Sequence, residues 1–197
     1  MYEPTDPALN DWIDLARSCR ECPLSGYQTP PITFAGYFQS PYLVIGQNPG
    51  EIRPTDWGRL SLAKLMKKEW HPARYTALYH HDFETSRGAH AMGSIFGTDW
   101  INSGEFCFTN VVLCRTKGNV KPSDDSLEAC IEHNISPFID LWTANGIAKT
   151  IVLMGRLAQM LTIRNSMQKV WEIPHYARWA VNNQVDVLRK QWEETYK

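Results

Sequence analysis

No apolar run in this sequence approaches the roughly 18 residues that a membrane-spanning helix needs, so the chain reads as having no membrane partner. The opening residues MYEPTDPALN lack the cationic and apolar regions of a signal peptide, which points to a cytoplasmic protein. There is no excess of charge of either sign. Lys and Arg number 20 and Asp and Glu 21, a formal net charge of -1. Global charge therefore does not announce a nucleic-acid binder, although a local patch suffices to hold a few phosphates. Internal repeats and low-complexity runs are missing too. Cysteine is scarce and odd in number: Cys19, Cys22, Cys107, Cys114 and Cys130. Without a secretory leader, that count argues against a disulfide framework and for metal ligation or buried thiols.

What is present suits one globular domain spanning 1–197, with 43% hydrophobic and 21% charged residues. Eight Trp form an aromatic excess that serves a core or base stacking alike. Helical spacing of Leu9, Trp12, Ile13 and Ala16 predicts a first helix over 8–18. Tyr42–Ile45 reads as a buried strand ending in a tight loop at Gly46, and 60–69 looks helical. Residues 71–104 lack clear periodicity beyond a possible short helix, and read as a long, partly irregular excursion. Strands follow at Phe106–Leu113, Thr150–Met154 and Val170–Ile173. Ser123 opens a helix whose stripe is Leu127, Ile131, Ile135, Phe138, Ile139 and Trp142. Helices at 156–163 and 181–196 complete the pattern. Strands alternating with helices predict an α/β fold, a central parallel four-stranded sheet with helices on both faces. Ligands of such sheets sit at the carboxyl ends of the strands. Gly46–Gly50, the end of 106–113, Gly155 and His175 all fall there.

Cys19 and Cys22 form a two-spaced pair after a helix, while Cys114 and Cys130 are an open pair. Four thiolates suit zinc or an iron–sulfur cluster, and chemistry alone does not choose. Four buried core cysteines are the plainer alternative. Cys107 falls out of step on its strand and reads as a core thiol. In Gly46-Gln47-Asn48-Pro49-Gly50, Asn48 would hold a fixed amide at a strand end, able to orient a water; an ordinary βα turn also fits. Asn110 interrupts a β-branched run, which is unfavourable unless its amide is used. Arg115, Lys117 and Lys121 make a basic loop that could meet phosphates or stay solvated. His80, His81, Asp82 and Glu84 are a weak metal signal on an irregular segment.

Taken in order, Cys19-x-x-Cys22, Val44–Gly50, Thr109–Arg115, Gly118-Asn119, Cys130, Val152–Arg156 and Pro174-His175-Tyr-Ala-Arg178 resemble the uracil-DNA glycosylase superfamily, most of all its iron–sulfur family 4. The likeness covers nearly the whole chain. It implies a single-domain three-layer α/β/α sandwich. Cys19, Cys22, Cys114 and Cys130 would hold a structural 4Fe–4S cluster that clamps the basic loop, with zinc the lesser alternative. Gln47 and Asn48 would form the water-positioning motif. Asn110 would recognise the flipped base, Asn119 would lie near the pocket, and His175 would face the leaving base. Arg178 would belong to the loop probing the duplex. The expected activity is that of a monofunctional, monomeric DNA N-glycosylase. It would flip a base, hydrolyse the N-glycosidic bond and leave an abasic site. The alternative is a non-catalytic nucleic-acid-binding module on the same fold.

The sequence departs from that family in ways that bear on the base. Asn48 stands where family 4 has a different middle residue, and is similar instead to the mismatch-specific and single-strand-selective families. The stacking Phe that follows the loop is missing, and only Trp57 could replace it. The strict uracil enzymes place a Tyr where Gly50 stands, so the gate against substituents at pyrimidine C5 is absent. With the longer 71–104 segment, this implies either a decorated uracil repair enzyme or one acting on a bulky modified cytosine of phage DNA, hydroxymethylated or glucosylated, in antiviral defence.

Overall fold

The computed structural model describes residues 6–161, 168–178 and 184–196. Helix α1 spans Pro7–Ser18. Its start is written in the sequence: Asp6 accepts from the Ala8 and Leu9 amides at 3.0 and 3.2 Å. Pro7 sits in the first turn, where a missing N–H costs nothing. The stripe Leu9, Trp12, Ile13 and Ala16 is buried as expected.

The sheet has five strands in the order β1-β3-β2-β4-β5. These are β1 (Ala35–Gly36), β2 (Tyr42–Gly46), β3 (Phe106–Asn110), β4 (Thr150–Met154) and β5 (Lys169–Ile173). Strands β2 to β5 are parallel, the four that the apolar runs predicted, and β1 adds an antiparallel edge on β3. Two residues carry no periodicity, so β1 has no signature in the sequence. The inner strands β2, β3 and β4 are buried along their whole length, which is why they read as unbroken apolar runs. The register pairs Gly46 with Asn110 and Met154 with Ile173. All four parallel strands therefore end along one edge. Their loops leave β2 toward β3 and β4 toward β5, in opposite directions, which opens a crevice between neighbouring strands.

The segment 71–104 corrects the expectation of an irregular excursion. After α2 (Trp57–Lys68) it forms α3 (Pro72–Glu84), α4 (Arg87–Phe96) and a 3-10 turn at Trp100–Asn102. Ser86 caps α4 by accepting from the Ala89 amide at 3.1 Å. The periodicity is hard to see because small and polar residues share the buried stripe. Thr76 and Asp82 are buried beside Tyr75, Tyr79 and Phe83, and Gly88 and Ala89 beside Met92 and Ile95. Phe83 stacks on Phe108 of β3 with ring centroids 4.0 Å apart. These helices belong to the core cluster. Ile95→Ala is therefore expected to cost about 2–5 kcal/mol in urea unfolding, the cost of a cavity in a packed core. A change within about 0.5 kcal/mol, typical of an exposed position, would show the segment to be appended.

Ser123 caps the next helix through the Ser126 amide at 3.2 Å. It continues from α5 (Asp124–Cys130) through a π-helical turn (Ile131–Ile135) into α6 (Ser136–Ala144). Pro137 explains the wide turn, because its ring leaves no N–H and crowds the carbonyl four residues back. The Asn134 carbonyl in this turn accepts from Trp12 Nε1 at 2.8 Å, tying α1 to the bulge. Of the helix expected over 156–163, the described residues show only a 3-10 turn at Ala158–Met160, and 162–163 lie outside them. The last helix, α7 (Val185–Gln191), runs into a π-helical turn at Trp192–Tyr196, with 181–183 outside the described residues. Trp192 seals this end of the core against Tyr42, Phe96, Phe106 and Trp171. No helix among the described residues is long and apolar enough to cross a membrane.

Candidate functional site

A cavity of about 930 Å³ opens at the carboxyl edge of the parallel strands. Its wall gathers residues far apart in sequence. Gly46 to Gly50 come from the end of β2, Asn110 from the end of β3, Met154 from β4 and His175 from just past β5. Trp57, Asn119 and Lys121 line it as well. The expected catalytic and base-contacting residues thus share one cavity, of a size usual for small-molecule sites.

Two glycines make the floor possible. A Cβ on Gly46 would stand 2.7 Å from Asn110 Oδ1, so only glycine lets that amide lie against the loop. Gly155, at φ +87°, sits where a Cβ would be 2.8 Å from the Gln47 amide nitrogen. Gln47 therefore packs across the β4 turn. Asn110 is 4% exposed, and its Nδ2 donates to the Tyr79 hydroxyl at 3.4 Å. Burial pushes the Tyr79 phenol well above its usual pKa and keeps it neutral. This partner resolves the problem of an Asn inside an apolar strand: the amide is held at the strand end, facing the cavity.

Asn48 donates through Nδ2 to Thr116 Oγ1 at 3.2 Å and to the Pro49 carbonyl at 3.4 Å. That spends the donor end of the amide on the protein and leaves Oδ1 as an acceptor, the end that can hold a water. Thr116, which carries no sequence signal, sets this orientation. Thr116→Val removes the hydroxyl at constant volume. It is expected to slow any chemistry that depends on the Asn48 amide by about tenfold, roughly the loss of one net hydrogen bond, as seen in single-turnover rates. An unchanged rate would mean that Thr116 does not orient Asn48.

His175 follows β5, and its Nδ1 accepts from the Ala177 amide at 3.3 Å. With Nδ1 accepting, a neutral ring carries its proton on Nε2. Its ring packs on Tyr176 with centroids 4.2 Å apart. Arg178 lies in the 3-10 turn Tyr176–Arg178, but its side chain is outside the described residues.

One expectation needs correction. Arg115 is no surface contact: its side chain is 1% exposed, and Nη2 pairs with Asp82 Oδ2 at 2.7 Å. Nη1 donates to the Gly50 carbonyl. A guanidinium spent on these partners cannot meet a phosphate. Lys117 and Lys121 are exposed as expected, although Lys121 pairs with Asp124 at 2.9 Å. Trp57 lines the cavity at its rim, 76% exposed. Tyr79, Phe83, Phe108 and Tyr176 supply rings deeper in the lining.

Helices α2 and α3 bring to the cavity Arg59, which had no sequence signal, and Asp82, expected only as a weak metal signal. Asp82 is buried between two guanidinium groups, with Arg59 Nε at 2.6 Å and Nη2 at 2.9 Å besides Arg115. Burial alone would raise its pKa. The hydrogen bonds from Arg59 and the charge of Arg115 outweigh it and hold the carboxyl below the usual range. One carboxylate between two guanidinium groups leaves a net positive wall. His80 and His81 do not join Asp82 in a metal site. His80 bonds the Gly36 amide and Asn102, and His81 faces Glu84. Successive helical residues point about 100° apart.

A second, small cavity is lined by Cys19, Cys22, Cys114 and Cys130 together. Cys107 is fully buried elsewhere, as expected of a core thiol. Among the described residues, no three or more His, Cys, Asp or Glu close up as around a single ion; the four thiols ring the cavity instead. Donors to sulfur are already in place. The Leu113 amide points at Cys130 Sγ at 3.4 Å. The π-helical turn brings Asn134 Nδ2 to 3.7 Å from Cys19 Sγ and 3.9 Å from Cys130 Sγ. Burial pushes the Cys130 thiol up to about 12, and Cys114 is raised as well. Loading a metal must therefore release protons. In donor chemistry, four soft thiols with N–H groups near sulfur suit an iron–sulfur cluster or zinc, and their ring around a cavity suits the larger of the two.

No protein-family model and no curated protein matches the chain.

Proposed function

We propose that this protein is a monofunctional DNA glycosylase, of the uracil-DNA glycosylase type that its motifs resemble. The proposed base is a pyrimidine with a bulky C5 substituent. The observation that carries the reading is the meeting of Asn48, Asn110 and His175 in one cavity at the strand ends. Three polar side chains from three separate segments serve three needs of one reaction.

A base inside a duplex must be flipped out to be reached. Asn110 then offers an amide to the edge of the base, and Tyr79, Phe83 and Phe108 offer faces for it. As the N-glycosidic bond breaks, negative charge grows on the base and positive charge on the sugar. His175 Nε2–H is the donor that stabilises the departing anion. Asn48 Oδ1 holds the water that attacks the sugar carbon. Lys121, which lines the cavity, is paired with Asp124, so the reading uses no Schiff base and the product is an abasic site. The four cysteines would hold a 4Fe–4S cluster, which supplies a cross-link between 19–22 and the 114–130 segment. The three-layer α/β/α arrangement of the family agrees with the five-stranded, mostly parallel sheet.

The open side of the pocket supports the larger base. At Gly50, a Cβ would meet only Asn119 Oδ1, at 3.7 Å, so nothing fills the place of a C5 gate. The α3–α4 wall, with Ser86 and Arg87 in the lining, extends the cavity beyond the aromatic rings. A modified cytosine of phage DNA fits these features and would make the enzyme one of antiviral defence. Mass spectrometry of bases released from uracil-containing DNA and from DNA with modified cytosines, side by side, tests the assignment. Release of the modified cytosine with uracil spared is expected. Release of uracil alone would make this a repair enzyme.

A further inference from the structure

We propose that Asp82 and Arg115 form a buried strut through which α3 sets the position of the loop carrying Asn48. Both are then positioning residues for the reaction proposed above, on which this inference rests. Arg115 reaches in two directions: Nη2 to Asp82 Oδ2 at 2.7 Å, and Nη1 to the Gly50 carbonyl. Asp82 is fixed in turn by both donors of Arg59 from α2. The side chains of Asp82 and Arg115 are 2% and 1% exposed.

The strut is one of four hydrogen-bonded ties between the same two segments. Thr116 accepts from the Asn48 amide at 3.2 Å. Asn119 Oδ1 accepts from the Glu51 amide at 2.6 Å, and Glu51 Oε2 accepts from the Gly118 amide at 2.8 Å. Residues 115–119 therefore hold 48–51 residue by residue, like a template. Gly118 and Asn119 are both left-handed, at φ 66° and 55°, which turns the segment so that its amide and side chain face Glu51. The Arg115 tie alone of these four continues inward to another helix. It makes the wall built by 72–84 and the water-holding loop one mechanical unit.

A buried ion pair is weak evidence of stability, since apolar replacements often serve as well. It does impose a fixed geometry, with directed hydrogen bonds at both ends of a rigid guanidinium. That matters most for a group that must aim a water, where a 1 Å misplacement costs about 10²-fold in rate.

The test uses the full-length, cluster-loaded protein with Asp82→Asn and Arg115→Lys, checked for wild-type iron content and circular dichroism. Three readouts are taken: single-turnover base release, DNA affinity across a salt series, and amide exchange over 46–51. The expected result is a rate loss of about 10²-fold with affinity within about twofold. The salt slope should be unchanged, and exchange at 46–51 about tenfold faster. Should Asp82→Asn fail to fold, Arg115→Lys decides, since it keeps a cation beside Asp82 and loses the two-ended reach. Unchanged exchange in a folded variant would overturn the strut. So would a salt slope lowered by about one with the loop undisturbed, the signature of a phosphate contact. If the wild-type protein releases no base, the functional reading fails, while the exchange rates still judge the strut.

Discussion

Asn48→Ala is expected to lower the single-turnover rate of base release by about 10²–10³-fold, and to leave the affinity for DNA nearly unchanged. The Asn48 amide has one end fixed on Thr116 and the Pro49 carbonyl, so its oxygen has a defined direction before substrate arrives. A water bound there is already oriented, and that advantage is lost when the side chain goes. His175→Ala should cause a loss of the same order for a different reason. It removes a donor aimed at charge that exists only in the transition state, and such donors are worth about 10²–10³ in rate. Because the ground state gains little from either group, affinity should move far less than rate. Rates within about threefold of wild type in both variants would remove the assigned mechanism. A parallel fall in affinity and rate would instead assign the two residues to binding.

The second large effect concerns the four thiols. Cys114→Ser is expected to abolish the brown iron–sulfur colour and lower the thermal midpoint by at least ~10 °C. Metal ligation in small sites contributes on the order of 10 kcal/mol to the folded state, and ~1 kcal/mol moves the midpoint of a chain this size by about 2–4 °C. Cys114 directly precedes the template segment at 115–119, so losing it should also loosen the loop beneath Asn48. Cys107→Ala is the contrast, because that thiol is fully buried away from the other four and raised by burial alone. It should keep full iron content. Full iron in Cys114→Ser, or loss of iron in Cys107→Ala, would refute the ligand set. A colourless protein with stoichiometric zinc would keep the four ligands and replace the cluster.

The parts of the fold legible in the sequence are those where one physical effect dominates. The inner strands β2, β3 and β4 read as apolar runs because both of their faces are covered. The start of α5 is announced by Ser123, whose hydroxyl caps it, and α1 by the spacing of its buried stripe. The expected site residues converge because strand ends are fixed by the same runs. What was illegible depends on partners distant in sequence. Helix α3 buries Thr76 and Asp82 on its apolar stripe, and Asp82 makes sense there only once Arg59 and Arg115 meet it. Arg115 looked like a phosphate contact because it sits in a basic run, and a one-dimensional pattern does not show that its neighbours point outward while it points in. Thr116 carried no signal at all, since its role exists only against Asn48, 68 residues away.

The central claim, that this cavity cuts the bond between base and sugar, is tested most directly by the state of the DNA afterwards. An oligonucleotide with a single C5-modified cytosine is incubated with excess protein and then treated with an aldehyde-specific probe. The account predicts one probe-reactive site per strand, at the modified position, on a backbone that stays intact until alkali is added. Bound DNA with no reactive site, for this base and for uracil, would contradict it and leave a binding module on the same fold.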